Sequence, residues 1–172
     1  MVEYVHFAAR IGLGLVFLVS AVSKLRGRQQ FAEFVRATGQ LAPVLPARGA
    51  AVVVVAIEVA VLVLLCSPWA ATGFVVAGLL LLAFTTALVL AVVRGRKVRC
   101  QCFGDSTSDV GWLQVSRNVV LLALAAAGAV GGTSVAGLAD TGWLLVALAA
   151  GALVGAAVVL SEEVVGLFTP VR

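Results

Sequence analysis

The chain has 172 residues, 62% hydrophobic and 12% charged, with a mean hydropathy of +1.15 and a formal net charge of +4. A water-soluble domain carries about 25% charged residues; this chain cannot cover a soluble globule with polar surface, so its class is integral membrane protein. The positive charge lies at the ends of apolar stretches, where membrane topology accounts for it. It does not point to nucleic acid, and no phosphate-cradling Gly-x-x-x-x-Gly-Lys is present.

A helix needs about 20 apolar residues to cross the hydrocarbon core. Five segments meet or approach that length, at 4–22, 49–65, 71–93, 115–130 and 143–160. The expected fold is an all-α polytopic transmembrane bundle of four to five helices, one membrane domain over 1–172. The start, Met1 to Phe7, carries Glu3 and no Lys or Arg, unlike the positive start of a cleaved signal, so the first span is expected to be retained. Between the first two spans, 29–38 reads as a short interfacial helix with Phe31, Phe34 and Val35 on one side and Glu33 and Arg36 on another. Pro43 and Pro46 precede the second span, Ser67-Pro68 makes a tight connection to the third, and Gly131-Gly132-Thr133-Ser134 opens the loop before the fifth.

The charges are one-sided. The first loop holds Lys24, Arg26, Arg28, Arg36 and Arg48, and the third holds Arg94, Arg96, Lys97, Arg99 and Arg117. With five spans these loops share a side with Arg172, so eleven of the twelve Lys and Arg residues fall together. The positive-inside rule makes that side cytoplasmic. The expected setting is a bacterial-type inner (plasma) membrane, with the N-terminus outside and the third loop inside.

That third loop carries the densest chemistry, Cys100-Gln101-Cys102-Phe103-Gly104 after Arg96, Lys97 and Arg99. Nearby cations favour the reactive thiolate, and the ring closed by a Cys-x-Cys disulfide is strained and readily reduced. The preferred reading is thiol–disulfide exchange, with Gly104 permitting a sharp turn after the thiols. The pair also reads as a soft ligand for Cu(I) or zinc completed by a partner, or as two unreactive loop thiols. Three scattered cysteines and one histidine make no recognisable internal metal site.

Glu58 lies near the middle of the second span, where a carboxylate needs a partner or a role. Counting depth from the outer ends of the two spans places Arg10 level with it. The expectation is an Arg10–Glu58 ion pair holding the bundle together, with proton handling or a polar binding cavity as the functional alternative. Cys66 reads as a buried, inert thiol, and His6 as a lone interfacial histidine without a chemical role. Gly151 and Gly155, like Gly128 and Gly132, have the spacing that lets helices approach closely, within the chain or in a homodimer.

The Cys-Gln-Cys-Phe-Gly stretch, with Arg117-Asn118 opening the next apolar helix, resembles the MauE family of methylamine utilisation membrane proteins, related to DoxX-like proteins. Ser20-Ala-Val-Ser-Lys24-Leu25, the Phe31/Phe34 segment and Glu58 are similar to the same pattern, and the likeness covers roughly 5–130. The resemblance implies a maturation role for methylamine dehydrogenase, whose exported small subunit is rich in disulfides, in company with thioredoxin-like partners. A more distant similarity is to vitamin K epoxide reductase-like bundles. It also implies that Cys100 and Cys102 are the redox pair, and that Glu58, Lys24, Arg117 and Asn118 line or support the same site.

The sequence reading is therefore a membrane thiol–disulfide redox or maturation factor, an enzyme only in the sense of a thiol–disulfide oxidoreductase. Its partners are the lipid bilayer and a thioredoxin-like protein or a client with thiols. No cofactor signature is evident, and a quinone is left open. The rival readings are a non-enzymatic DoxX-like scaffold and a small metal or solute carrier using Glu58 and Arg10.

Overall fold

The structure is a computed structural model that describes residues 2–41, 46–95 and 112–130, with residues 142, 145, 146 and 148–157 beyond them. Its helices are α1 (Val2–Leu25), α2 (Arg28–Leu41), α3 (Ala47–Cys66), α4 (Ala70–Val93), α5 (Trp112–Val130) and the short α6 (Leu148–Ala157). Four of them, α1, α3, α4 and α5, are long and apolar enough to cross a membrane. With no strand among the described residues, the fold is an all-α polytopic bundle.

The four long helices form a ring in which α1 packs on α3 and α5, and α4 packs on the other flanks of the same two. Their shared core contains Leu13 and Phe17 of α1, Val61 and Leu65 of α3, Phe74 and Leu81 of α4, and Leu121 and Ala125 of α5. Outward, the ring presents Val53 and Val63, Leu79 and Leu82, and Val119 and Val120. The buried set includes Lys24, Glu58, Arg117 and Asn118. Apolar outside with charge inside is how a chain is arranged when its solvent is lipid.

The breaks follow local chemistry. Pro46 stands at φ −63° before α3 and accepts the first helical bond from Ala50 N–H, as a residue preset for a helix entry does. At the end of α4, Gly95 adopts a left-handed φ of 61° and donates to Val92 O. Glycine is the residue that takes this conformation after a helix without a side-chain penalty. Residues 29–38 lie inside α2, which packs Phe34 against Ala51 and Val55 of α3. At 14 residues α2 rises about 21 Å, short of the ~30 Å core.

Backbone approach explains the glycines. A Cβ on Gly155 would come within 3.2 Å of Gly12 O and of Leu15 Cβ, and one on Gly12 within 3.1 Å of Gly151 O. Gly151 itself sits against the Ala8 carbonyl. These contacts ascend together along both segments, so α6 runs parallel to α1, with the glycines at the seam within one chain. At Gly128 the edge of the Phe74 ring occupies the place a Cβ would need.

Candidate functional site

The last two turns of α1 bring Ser20 and Lys24, four residues apart, onto one face. Both turn inward, and α3 meets them with Glu58. The Lys24 ammonium donates to Glu58 Oε1 at 2.7 Å and to Ser20 Oγ at 2.6 Å, and the Ser20 hydroxyl donates to the same Oε1 at 3.0 Å. Lys24 and Glu58 are each 2% exposed. The Lys24 ammonium also lies 4.8 Å from the centre of the Phe34 ring on α2, so that helix covers the pair from the loop side. One ammonium and one hydroxyl thus converge on a single carboxylate oxygen, Glu58 Oε1.

α5 supplies the opposite wall. Gln114, Arg117 and Asn118 have helical spacing, and all three are buried; Asn118 Nδ2 donates to Gln114 O at 3.1 Å. Ser20, Lys24, Glu58, Arg117 and Asn118 line one cavity of about 30 Å³, closed by Val16, Phe17, Leu81, Phe84 and Leu121. A site needs ~10–15 Å³ to hold a water molecule, so the cavity is the size of one or two. Glu58 Oε2 is buried and makes no hydrogen bond among the described residues.

The structure separates Arg10 from Glu58. Arg10 bonds through Nε to Leu65 O, and through its second guanidinium nitrogen to Ser67 O at 3.0 Å. These carbonyls lie at the C-terminal end of α3, where four C=O groups lack intrahelical partners and a cation is favoured. The expected Arg10–Glu58 pair is therefore replaced by Lys24–Glu58. Lys24, counted among the loop charges in sequence, is a buried residue in the last turn of α1. His6 likewise ties helices together. It is buried, and Nδ1 donates at 2.8 Å to Gly128 O near the end of α5, with the ring edge-on to Phe74. Cys66, expected to be buried, is an exposed free thiol at the end of α3.

Cys100 and Cys102, with Arg96, Lys97, Arg99 and Gly104, lie outside the described residues. The helices that flank their loop are described: α4 ends at Val93 and α5 begins at Trp112. Among the described residues no three of His, Cys, Asp and Glu come together to hold a metal ion. Sequence reasoning passed over Ser20 and Gln114 as members of the buried cluster; the signal was their helical spacing to Lys24 and Arg117 inside apolar runs.

Residues 2–131 match the family described as "Methylamine utilisation protein MauE". The chain belongs to the MauE family. It is 43% identical over 130 residues to the "Methylamine utilization protein MauE" of Paracoccus denitrificans, covering 74% of this chain and 69% of that protein. It is 35% identical over 124 residues to the protein of the same name from Paracoccus versutus, covering 70% of this chain and 66% of that protein. No solved structure gives a significant match. The MauE match takes in α1 to α5 and ends before α6, so the Ser20–Lys24–Glu58–Arg117–Asn118 cluster lies wholly within it.

Proposed function

We propose that this MauE-family protein is a membrane thiol–disulfide redox factor that assists maturation of a disulfide-rich partner, methylamine dehydrogenase being the client the family name suggests. One observation carries the reading. The buried cluster joins the last turns of α1 and the first turns of α5, the end of the bundle from which the Cys100/Cys102 loop departs, to Glu58 of α3. Arg117 is five residues into α5, about 7.5 Å of helix below the loop's return. A reactive thiol loop needs a rigid, polar base to dock on and cations to favour thiolate; this end of the bundle supplies both.

The step is an exchange. A thiolate of the pair attacks one sulfur of a partner disulfide, that S–S bond breaks, and a mixed disulfide forms with release of the partner's other thiolate. The second cysteine of the pair then displaces the partner's remaining sulfur. Cys100–Cys102 becomes oxidised and the partner gains two electrons; run backwards, the pair oxidises a partner dithiol. The charge distribution favours a cytoplasmic-facing pair and a thioredoxin-like protein as the partner on that side.

The test is thiol labelling in intact cells with a membrane-impermeant maleimide, in a Cys66→Ser background, with Cys100→Ser and Cys102→Ser made singly. Labelling of the pair only after lysis and reduction, with loss of client maturation in either variant, is the expected result. Full maturation in both variants would eliminate the redox reading in favour of a scaffold. Labelling of intact cells after mild reduction would put the pair outside and reverse the topology.

A further inference from the structure

A second cavity, far larger than the polar one above, has a volume of about 800 Å³. It opens at the loop end of the bundle, lined by Lys24, Arg28, Arg36 and Arg48 together with Leu25, Phe31 and Val35. Ligand sites commonly fall between ~300 and 1,000 Å³. Among the described residues its lining holds four cations and no carboxylate. Lys24 is committed to Glu58 at the inner end, while Arg28, Arg36 and Arg48 are exposed. Three arginines on one concave space add their positive potentials there and so attract an anion.

The position of the cavity selects the anion. The candidate spans end at Leu25 and resume at Ala47, so the arginines stand where hydrocarbon gives way to headgroups. The apolar side chains of Leu25, Phe31 and Val35 share the lining with them. A ligand that satisfies both is an amphiphile with a phosphate at one end and acyl chains at the other. Guanidinium pairs with phosphate oxygens in bidentate fashion, and basic pockets at the cytoplasmic ends of spans suit anionic headgroups.

We propose that the α1–α2–α3 cavity is a binding site for an anionic phospholipid, whose phosphate is held by Arg28, Arg36 and Arg48 and whose chains lie along Leu25, Phe31 and Val35. It is separate from the thiol chemistry and stands or falls independently of it.

The experiment is native mass spectrometry of the full chain, released from micelles containing equimolar phosphatidylglycerol and phosphatidylcholine. Retention of phosphatidylglycerol over phosphatidylcholine is expected for the native chain. Arg28→Gln/Arg36→Gln/Arg48→Gln should weaken that retention on the order of a hundredfold, at roughly fivefold per arginine. Arg26→Gln/Arg94→Gln, which removes two charges outside the cavity, should leave it within about twofold. No preference in the native chain, survival of the preference in the triple variant, or equal loss in the Arg26/Arg94 variant would each overturn the proposal. The native chain carries a second test that needs no variant: millimolar inorganic phosphate should fail to displace the lipid, and displacement would mark a free-anion site instead.

Discussion

Replacing Lys24 with Met should destabilise the bundle more than any other single change to a charged residue described above. The ammonium and carboxylate are 2.7 Å apart with side chains 3% and 2% exposed. At an effective dielectric of ~20, Coulomb's law gives about 6 kcal/mol of attraction at that distance. Desolvation of both ions offsets much of this, but breaking a buried pair from one side leaves a lone buried charge and costs about 3–5 kcal/mol. Here Lys24→Met takes from Glu58 Oε1 its charged donor and leaves it the Ser20 hydroxyl, against a total stability on the order of 5–15 kcal/mol. The double variant Lys24→Met/Glu58→Met removes both charges at nearly constant volume, and such replacements range from neutral to stabilising by about 1–4 kcal/mol. The assay is reversible unfolding in mixed micelles followed by circular dichroism, with the two singles and the double forming a mutant cycle. A Lys24→Met variant within about 1 kcal/mol of the native chain, or a double variant no more stable than the singles, would refute the reasoning.

Arg10→Met should cost about 1–3 kcal/mol by leaving the Leu65 and Ser67 carbonyls without their donor, with faster hydrogen exchange in the last turn of α3. Arg10→Lys should recover only part, since one ammonium cannot reproduce the guanidinium fork. Gly128→Ala should cost roughly 1–3 kcal/mol by overpacking against the Phe74 ring; Phe74→Leu in the same chain should return part of that loss in the same unfolding assay. Phe34→Leu keeps the apolar contact with Ala51 and Val55 but removes the ring beneath Lys24. It should cost about 1 kcal/mol, and less in a Lys24→Met background, where the cation is gone. Gly151→Leu should detach α6 from α1, read as new protease sensitivity after α5 with the four-helix ring intact.

The helices were legible because lipid imposes a single rule: a span must satisfy its own backbone, so long apolar runs become helices. Proline and glycine marked where the runs stop. The site was legible in part. Glu58 announced itself as a carboxylate amid Val and Leu, and the family resemblance grouped it with Lys24, Arg117 and Asn118, but the residue count along the spans gave it a different ion-pair partner. Depth counting matched Arg10 to it by assuming that the nearest level cation takes the carboxylate. That arithmetic left out the bare carbonyls at the end of α3, which claim Arg10. It also treated Lys24 as a loop residue, because a lysine at the edge of an apolar run looks like an interface anchor; the four-carbon stem instead reaches inward. The face of Cys66 was illegible for a different reason. The last two turns of α3 before Cys66 are Val, Ala and Leu on every side, so hydropathy carries no rotational phase there, and packing against α1 and α4 decides which residues meet lipid.

The first helix is made well before the distant groups that bond to it. Lys24 waits for Glu58, 34 residues later, and His6 waits for Gly128, 122 residues later. At about 5–20 residues per second of synthesis, the first delay lasts roughly 2–7 s and the second roughly 6–24 s. Until then Lys24, in the last turn of α1, has the Ser20 hydroxyl of its own helix, and its stem can carry the ammonium to the interface. The N-terminal half of α1 gains the Gly128 carbonyl only when the end of α5 has been translated, and its seam with α6 later still. The pairing that gives the mature protein its polar centre is thus completed only once α3 has been made.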